Sequence, residues 1–197
     1  MIKALNKGKA VYVEKPLALD MQSITDIEES IYRSENPKLF IGFNRRFSKS
    51  AQFIKQKLID SSANSINIRF SVPPLDSDHW TNIKEIGGGR IVGEAVHGID
   101  LACYLFDSLP QSISASAPVD KSNNVVKDNQ VFLNINFANG SHASIQYFSE
   151  ANQILSKERI EVHGEGNSYI LEDFRMLRFL EGSQDRSKTF SSGKGHK

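Results

Sequence analysis

The spacing of apolar residues changes near the middle of this chain. In the first half they recur every three or four positions, as at Ile24, Ile27 and Ile31, and this spacing predicts amphipathic helices. After Pro110 they alternate with polar residues, for example from 131 to 137, and this alternation predicts β-strands. We therefore predict an α+β fold in which strand–helix units precede a run of antiparallel strands.

Two strand–helix units are predicted before residue 60. They comprise a helical turn at 2–6, a strand at 10–13 that ends before Pro16, a helix at 20–32, a strand at 39–43 and a helix that ends at Leu58. Ser23 and Asp26 are spaced like a capping box for the first long helix, and Ser48 or Ser50 is expected to cap the second. The strand at 10–13 has no upstream partner. We therefore expect it to be the last strand of a parallel sheet whose other strands lie outside this sequence.

The second half is predicted to be mostly strand. The elements are a strand at 66–72, a buried helix after the glycine run 87–89, a hairpin that turns at Asn139–Gly140 and a hairpin that turns at 164–167. The strands between about Ile113 and Leu171 are expected to form one sheet whose apolar outer face, with aromatic residues such as Tyr147, pairs with a second copy. Residues 182–197 are polar, and we expect them to be frayed.

Composition and charge narrow the class of partner. The 197 residues carry 24 basic and 23 acidic side chains, a net charge of +1, so no overall field attracts nucleic acid or an anionic membrane. Charges or prolines interrupt every apolar run before the roughly 20 residues needed to span a bilayer. The single cysteine, Cys103, cannot form an internal disulfide, which favours the cytoplasm. The partner is expected to be a small molecule or another subunit.

The segment Glu14-Lys15-Pro16 is the first candidate site. It ends an apolar strand, and the carboxyl ends of strands in open parallel sheets are where ligands bind. A lysine there can exchange a proton with a substrate hydroxyl, and burial or a neighbouring cation lowers its pKa into a useful range. The alternative is a surface lysine before a turn proline.

The segment after the glycine run is the second candidate. On a helix, Glu94, His97 and Asp100 follow one another at three-residue steps and share a stripe, so the histidine is a plausible proton-transfer group. The alternative is a surface charge ladder with a half-buried histidine. We expect no metal site, because one histidine and two carboxylates are few ligands for zinc.

Other polar clusters carry less information. The glycine run lacks both the Walker Lys-Ser/Thr and a Gly-x-Gly-x-x-Gly pattern, so it is not a phosphate loop and more plausibly allows a close backbone approach. Asn44-Arg45-Arg46 follows a buried strand and can hold a substrate hydroxyl or phosphate, although paired arginines are often solvated or ion-paired. The only tryptophan, Trp80, lies in a loop.

Three segments together resemble the signature segments of the Gfo/Idh/MocA oxidoreductases. They are Gly8-Lys9-Ala10-Val11-Tyr12-Val13-Glu14-Lys15-Pro16, Ile41-Gly42-Phe43-Asn44-Arg45-Arg46-Phe47 and residues 87–100. The resemblance extends to about Leu171, and Asp78-His79-Trp80 further resembles a bi-domain branch. It implies an open, predominantly antiparallel sheet with helices on one face. It also implies three parts of the chain. Residues 1–17 would be the end of a dinucleotide-binding Rossmann domain, residues 18–181 a substrate-binding and oligomerisation domain, and residues 182–197 a polar tail.

The resemblance also implies roles for individual residues. Lys15 and His97 match the family's catalytic lysine and histidine. Glu94 is assigned to the catalytic group with them, although it stands one position after Gly93, where the family usually has an aspartate, and a one-residue step turns a helical side chain by roughly 100°. The remaining implied residues are Glu14 and Pro16 for the cofactor, and Asn44, Arg45, Trp80 and Asp100 for the substrate.

We therefore expect the substrate-binding part of an enzyme that moves hydride between NAD or NADP and a sugar, polyol or nucleotide-sugar hydroxyl. The chain alone is expected to be inactive and to bind no dinucleotide. It is also expected to form a homo-oligomer, without nucleic acid or membrane partners. The alternative function is a non-catalytic binding or oligomerisation module.

Overall fold

A single eight-stranded sheet forms the centre of the fold. The computed structural model describes residues 1–58, 64–76, 79–120, 125–126, 129–191 and 193–195, so Asp78 lies outside the described residues. In chain order the elements are α1 (Ile2–Leu5), β1 (Val11–Val13), α2 (Met21–Tyr32), β2 (Leu39–Ile41), a 3-10 turn (Asn44–Phe47), α3 (Lys49–Lys57), β3 (Ser65–Ser71), a second 3-10 turn (Trp80–Asn82), α4 (Lys84–Gly87), a π-helical turn (Ile91–Ala95), α5 (Val96–Phe106), β4 (Pro110–Ser116), β5 (Val119–Asp120), β6 (Val125–Val126), β7 (Val131–Phe137), β8 (His142–Phe148), β9 (Glu158–Gly164), β10 (Asn167–Glu172), β11 (Met176–Glu181) and β12 (Gln184–Thr189).

The strand order of the large sheet is β12-β11-β10-β9-β3-β8-β7-β4. Every neighbouring pair is antiparallel except β3 and β8, which are parallel with Ile68 opposite Ile145. The prediction of an α+β fold with a predominantly antiparallel sheet is therefore confirmed. No helix among the described residues has the length and apolar character required to cross a membrane.

The core lies between one face of the sheet and the helices α3 and α5. Alternate strand residues such as Ile68, Ile145 and Ile160 point to this face and are at most 1% exposed. Gly98 on α5 lets the helix approach closely, since a Cβ there would lie 2.9 Å from the Phe70 ring. The close fit fixes the position of the helix that carries His97.

The opposite face of the sheet is mainly polar, with Phe132 and Phe148 as a small apolar patch, so the predicted apolar outer face is wrong for most of the sheet. Tyr147 is fully buried in the core, and its hydroxyl accepts a hydrogen bond from Arg90. Its neighbour Gln146 points outward instead, in register with Arg69 of β3, which itself lies opposite Arg159 of β9. Successive side chains of a strand point to opposite faces of the sheet. Assigning the inward and outward positions one residue out of step therefore places every side chain of the strand on the wrong face.

The end of the chain is more ordered than its composition predicts. The expectation of fraying from residue 182 is wrong for β12, which pairs with β11 from Gln184 to Thr189. All six β12 residues are exposed, as suits an edge strand held by backbone hydrogen bonds rather than by apolar side chains. The following Phe190 is buried against Phe53.

The helix caps agree only partly with the predictions. Ser48 caps α3 by accepting a hydrogen bond from the Ala51 amide, as predicted. The cap of α2 is Asp20, whose carboxylate accepts hydrogen bonds from the Ser23 amide and hydroxyl, so the assignment of Ser23 as the cap is wrong. Either arrangement satisfies an otherwise unpaired amide at the first turn.

Candidate active site

The strands β1 and β2 form a separate two-stranded parallel sheet that brings two candidate segments together. Val13 lies opposite Ile41, so Glu14 and Lys15 leave one strand where Gly42 leaves the other. A side chain at Gly42 would collide with the Glu14 carboxylate, since its Cβ would lie 2.9 Å from Oε2. The two carboxyl ends therefore form one edge, as expected where parallel strands end.

A cavity of about 690 Å³ opens at this edge. It is lined by eight of the nine residues to which the sequence assigned a role, namely Glu14, Lys15, Pro16, Asn44, Arg45, Trp80, Glu94 and His97. Segments more than 80 positions apart in the sequence thus meet at one site. Whether each residue has the assigned role stays a prediction.

The glycine run shapes the opposite wall of the cavity. The backbone of Gly87 passes so close to the Trp80–Asn82 turn that a Cβ would lie 2.6 Å from the Cα of Thr81. Gly88 and Gly89 both have positive φ angles, of 71° and 80°, which other residues rarely adopt. These glycines direct the chain into the π-helical turn and α5.

The π-helical turn presents a backbone acceptor to Lys15. The Lys15 Nζ donates a 2.6 Å hydrogen bond to the carbonyl oxygen of Gly93. Such turns interrupt the regular bonding of a helix and are frequent at functional sites. Burial lowers the pKa of Lys15, and the carboxylate of Glu94 opposes this only in part.

His97 is the most deeply buried polar group of the cavity wall. The residue is 2% exposed, and neither ring nitrogen has a hydrogen-bond partner among the described residues. The Phe43 ring contacts it edge-on at 5.9 Å between centroids. Burial, followed by the positive charges of Arg45 and Lys15, lowers the pKa of His97 to about 2, so the imidazole is neutral at ordinary pH. A neutral imidazole has one donor and one acceptor, and both ring nitrogens of His97 are buried with that capacity unused among the described residues.

The Glu94 carboxylate forms an ion pair at the cavity wall. Its carboxylate lies 3.1 Å from the Nζ of Lys157, and the Arg90 guanidinium is 4.0 Å away. Arg90 in turn donates to the Tyr147 hydroxyl and to the carbonyl of Pro73. Glu94 therefore faces the cavity despite the one-residue offset, but as part of a charge network.

Arg45 is anchored from below by a buried carboxylate. Its Nε and Nη2 donate to the two oxygens of Glu158 at 3.1 and 2.9 Å, and its Nη1 donates to the Asn44 side chain at 3.0 Å. Lys194 also donates to Glu158. Burial alone would raise the pKa of Glu158, but the charges of Arg45 and Lys194 hold it below the usual range.

Asp100 is the one candidate that does not line the cavity. Its carboxylate accepts hydrogen bonds from Arg46, including one of 3.0 Å from Nε, and the same guanidinium lies over the Tyr104 ring. Burial raises the pKa of Asp100, and Arg46 opposes this. The stripe predicted along α5 is thus divided, with His97 facing the cavity and Asp100 tying α5 to the Asn44–Phe47 turn.

The cavity lining also includes residues to which the sequence analysis assigned no role, among them Tyr12, Arg90, Lys157 and Lys194. Arg90 directly follows the glycine run, so its position in the sequence could have indicated that it belongs to the site. Lys157 precedes β9 and Lys194 follows β12, and nothing in the local pattern of either segment marks a site. Only the folding of the large sheet brings these segments to the cavity.

Comparison with known proteins places the chain among oxidoreductases. Residues 62–170 match the family model of the GFO/IDH/MocA C-terminal domain. The chain is 29% identical to inositol 2-dehydrogenase of Rhizobium meliloti over 213 residues, an alignment that covers 93% of this chain and 62% of the relative. It therefore spans about three-fifths of that protein's length.

Solved structures share the fold over nearly the whole chain. The crystal structure of aldose-aldose oxidoreductase from Caulobacter crescentus complexed with glycerol matches with a TM-score of 0.79 at 18% identity, covering 97% of this chain and 59% of that one. An NAD binding oxidoreductase from Klebsiella pneumoniae matches with a TM-score of 0.77 at 21% identity, covering 98% and 57%. At these identities the likeness shows the fold.

Proposed function

Because this chain belongs to the GFO/IDH/MocA family, matching the model of its C-terminal domain, we propose that it forms the substrate-binding part of an NAD(P)-dependent oxidoreductase. The reaction is hydride transfer between the nicotinamide and a hydroxyl-bearing carbon of a sugar, polyol or nucleotide sugar. The observation that carries this proposal is the meeting of Lys15 and His97 at one cavity. Residues 1–17 then end a dinucleotide-binding domain, and the substrate domain begins at residue 18 and extends past residue 181 to include β12, which pairs with β11.

The proposed chemistry divides the work between two side chains. When bound, the nicotinamide supplies the hydride acceptor or donor. Lys15 exchanges the hydroxyl proton, since its lowered pKa makes the free amine more accessible than in an exposed lysine. His97 stays neutral and orients the same hydroxyl through its unpaired ring nitrogens. Glu14 and Pro16, at the cavity edge, are placed to hold the nicotinamide end.

This chain holds only the reactive end of a dinucleotide site. Its sequence contains no Gly-x-Gly-x-x-Gly, the pattern with which Rossmann domains bind a pyrophosphate at a helix N-terminus. We therefore expect calorimetry of the chain alone to show no saturable heat with NAD or NADP. Micromolar binding of either would require a phosphate site in residues to which we assign none.

We infer that the polar outer face of the sheet is where two copies associate. Arg69 and Asn67 lie there on β3, and the Arg69 Nε and Asn67 Oδ1 atoms are buried without a hydrogen-bond partner among the described residues. Around them Arg159 pairs with Glu161 and Glu172, so charges of both signs are available to a second copy. Cys103 as the only cysteine favours a reducing, cytoplasmic setting.

The test of catalysis uses the complete enzyme that contains this chain. Lys15→Ala and His97→Ala should each lower kcat with myo-inositol or a hexose by about 100-fold or more, the usual size of an acid–base contribution. The matched controls Lys9→Ala and His142→Ala remove an exposed lysine and an exposed histidine and should leave kcat unchanged. Unchanged rates in the two site variants would favour the non-catalytic binding module instead.

A further inference from the structure

The cavity carries more positive than negative charge. Its charged lining residues, together with the carboxylate behind them, comprise five cations and three carboxylates among the described residues, namely Lys15, Arg45, Arg90, Lys157 and Lys194 against Glu14, Glu94 and Glu158. Since His97 is neutral, two positive charges are uncompensated. An excess of one sign in a cleft attracts ligands of the other sign.

The ammonium groups are more accessible than the carboxylates that they contact. The Glu158 side chain is 1% exposed, whereas that of Lys194 is 25% exposed. The Glu94 side chain is 20% exposed, whereas that of Lys157 is 44% exposed. In both pairs the carboxylate lies deeper and the cation is presented to the cavity.

The lysines retain unused hydrogen-bond donors. An ammonium group carries three N–H bonds. Each of the three cavity lysines has a single partner residue among the described residues, which is Gly93 for Lys15, Glu94 for Lys157 and Glu158 for Lys194. Most of these donors are therefore free to meet a ligand.

The tail is held at the cavity by a close backbone contact. A Cβ at Gly195 would lie 2.3 Å from the carbonyl oxygen of Asn44 and 2.8 Å from the amide nitrogen of Ser48. The φ angle of Gly195 is 82°, in the region that favours glycine. This contact fixes the neighbouring Lys194 beside Arg45.

From this arrangement we propose that the substrate carries an anionic group, a carboxylate or a phosphate, in addition to its hydroxyls, and that Lys157 and Lys194 select for it. The proposal rests on the proposed function and names its substrate class. The need to stabilise a developing alkoxide on the substrate explains the position of Lys15. It does not explain why Lys157 and Lys194 also line the cavity. Dinucleotide phosphates do not account for them either, because a ribose separates those phosphates from the reactive ring, while these cations surround His97.

A bound anion would also change the behaviour of His97. The charges of Arg45, Lys15, Lys194 and Lys157 contribute, after burial, to its lowered pKa. A negative group among them offsets that effect and raises the pKa of His97. Binding of the substrate would thereby strengthen the hydrogen bond that the neutral imidazole accepts from the substrate hydroxyl.

The test compares three ligands that share a sugar ring, namely D-glucose, D-glucuronate and D-glucose 6-phosphate. Each is titrated into the full chain at low salt while the NMR signals of the His97 imidazole are followed. We expect at least one anionic sugar to bind about tenfold or more tightly than glucose, since charge-assisted hydrogen bonds are stronger than neutral ones. The two anions distinguish a carboxylate site from a phosphate site.

Variants assign the preference to the lysines. Lys194→Ala and, as an independent variant, Lys157→Ala should reduce the ratio of anionic-sugar affinity to glucose affinity to about threefold or less, whereas the exposed control Lys9→Ala should retain it. Circular dichroism verifies that each variant is folded.

Equal affinity for glucose and both anions would overturn the proposal while leaving a sugar site intact. Binding of none of the three sugars would overturn this proposal, whereas the proposed function is decided separately by the kcat of the Lys15 and His97 variants. Inorganic phosphate binding as tightly as glucose 6-phosphate, or NAD displacing glucuronate, would also reject it.

Discussion

The histidine at the cavity wall ties stability to pH. The folded-state pKa of His97 is about 2, against an ordinary value of 6.5, with burial as the main cause. Below about pH 6.5 the unfolded chain therefore binds a proton that the folded chain does not, so the stabilising contribution is complete above that pH and is lost as the pH falls. From about pH 7 to pH 5 we expect a loss of about 2 kcal/mol in the free energy of unfolding.

Urea unfolding at several pH values measures this effect. His97→Leu should flatten the pH dependence by about the same amount, because leucine takes up no proton. His142→Leu removes an exposed histidine and should leave the slope as it is. An identical slope in the His97 variant would show that the histidine titrates normally in the folded chain.

Two arginine–carboxylate pairs should differ sharply in their effect on stability. Arg45 pairs with Glu158, whose side chain is 1% exposed, and its loss leaves a buried carboxylate with Lys194 as its remaining cation. Arg45→Ala should therefore cost about 3 kcal/mol. Arg178 pairs with Asp185 where both side chains are more than half exposed, so Arg178→Ala should have little measurable effect. Equal losses on urea unfolding would mean that burial does not decide the difference.

The helix α5 depends on one glycine for its packing against the sheet. A Cβ at Gly98 would lie 2.9 Å from the Phe70 ring and 3.1 Å from Ile145, and both neighbours are fixed in the core. Gly98→Ala gains about 1 kcal/mol of helix propensity but overpacks a dense core, which costs about 1–3 kcal/mol. We expect a net loss of about 1 kcal/mol in the free energy of unfolding.

The matched control lies one helical turn earlier. A Cβ at Gly93 would have its nearest neighbour at 3.7 Å, an ordinary contact, so Gly93→Ala should be neutral or slightly stabilising. Thermal unfolding of both variants compares the two positions directly. A stabilised Gly98 variant would show that α5 can move away from the sheet, and His97 would move with it.

At the scale of the whole molecule, the polar outer face predicts how copies associate. Because that face presents charged side chains such as Arg69, Arg159 and Glu161 beside a few apolar ones such as Phe132, association through the charged part should weaken as salt screens the charges. Light scattering should show a dimer or larger assembly at about 50 mM salt and a shift toward monomer at about 500 mM. Arg69→Glu should weaken the assembly, whereas the exposed Lys9→Ala should not. A monomer at every salt concentration would contradict the inference.

The sequence by itself determined the fold class and most of the elements up to β10, because both depend on local order. The alternation in β7 and β8 and the spacing in α2 follow directly from the geometry of strands and helices. The three signature segments indicated the family for the same reason: each is a short, continuous piece of chain.

Tertiary structure alone decided what surrounds these segments. Nothing in the local pattern around Tyr147 says which face of the sheet the helices will cover, and composition made the β12 segment look disordered although backbone pairing orders it. The charge of the cavity was equally hidden, since Lys157 and Lys194 reach it through sheet pairing and a tail contact rather than through sequence proximity. Charge and burial at a site depend on distances in space, and the linear order of residues does not contain those distances.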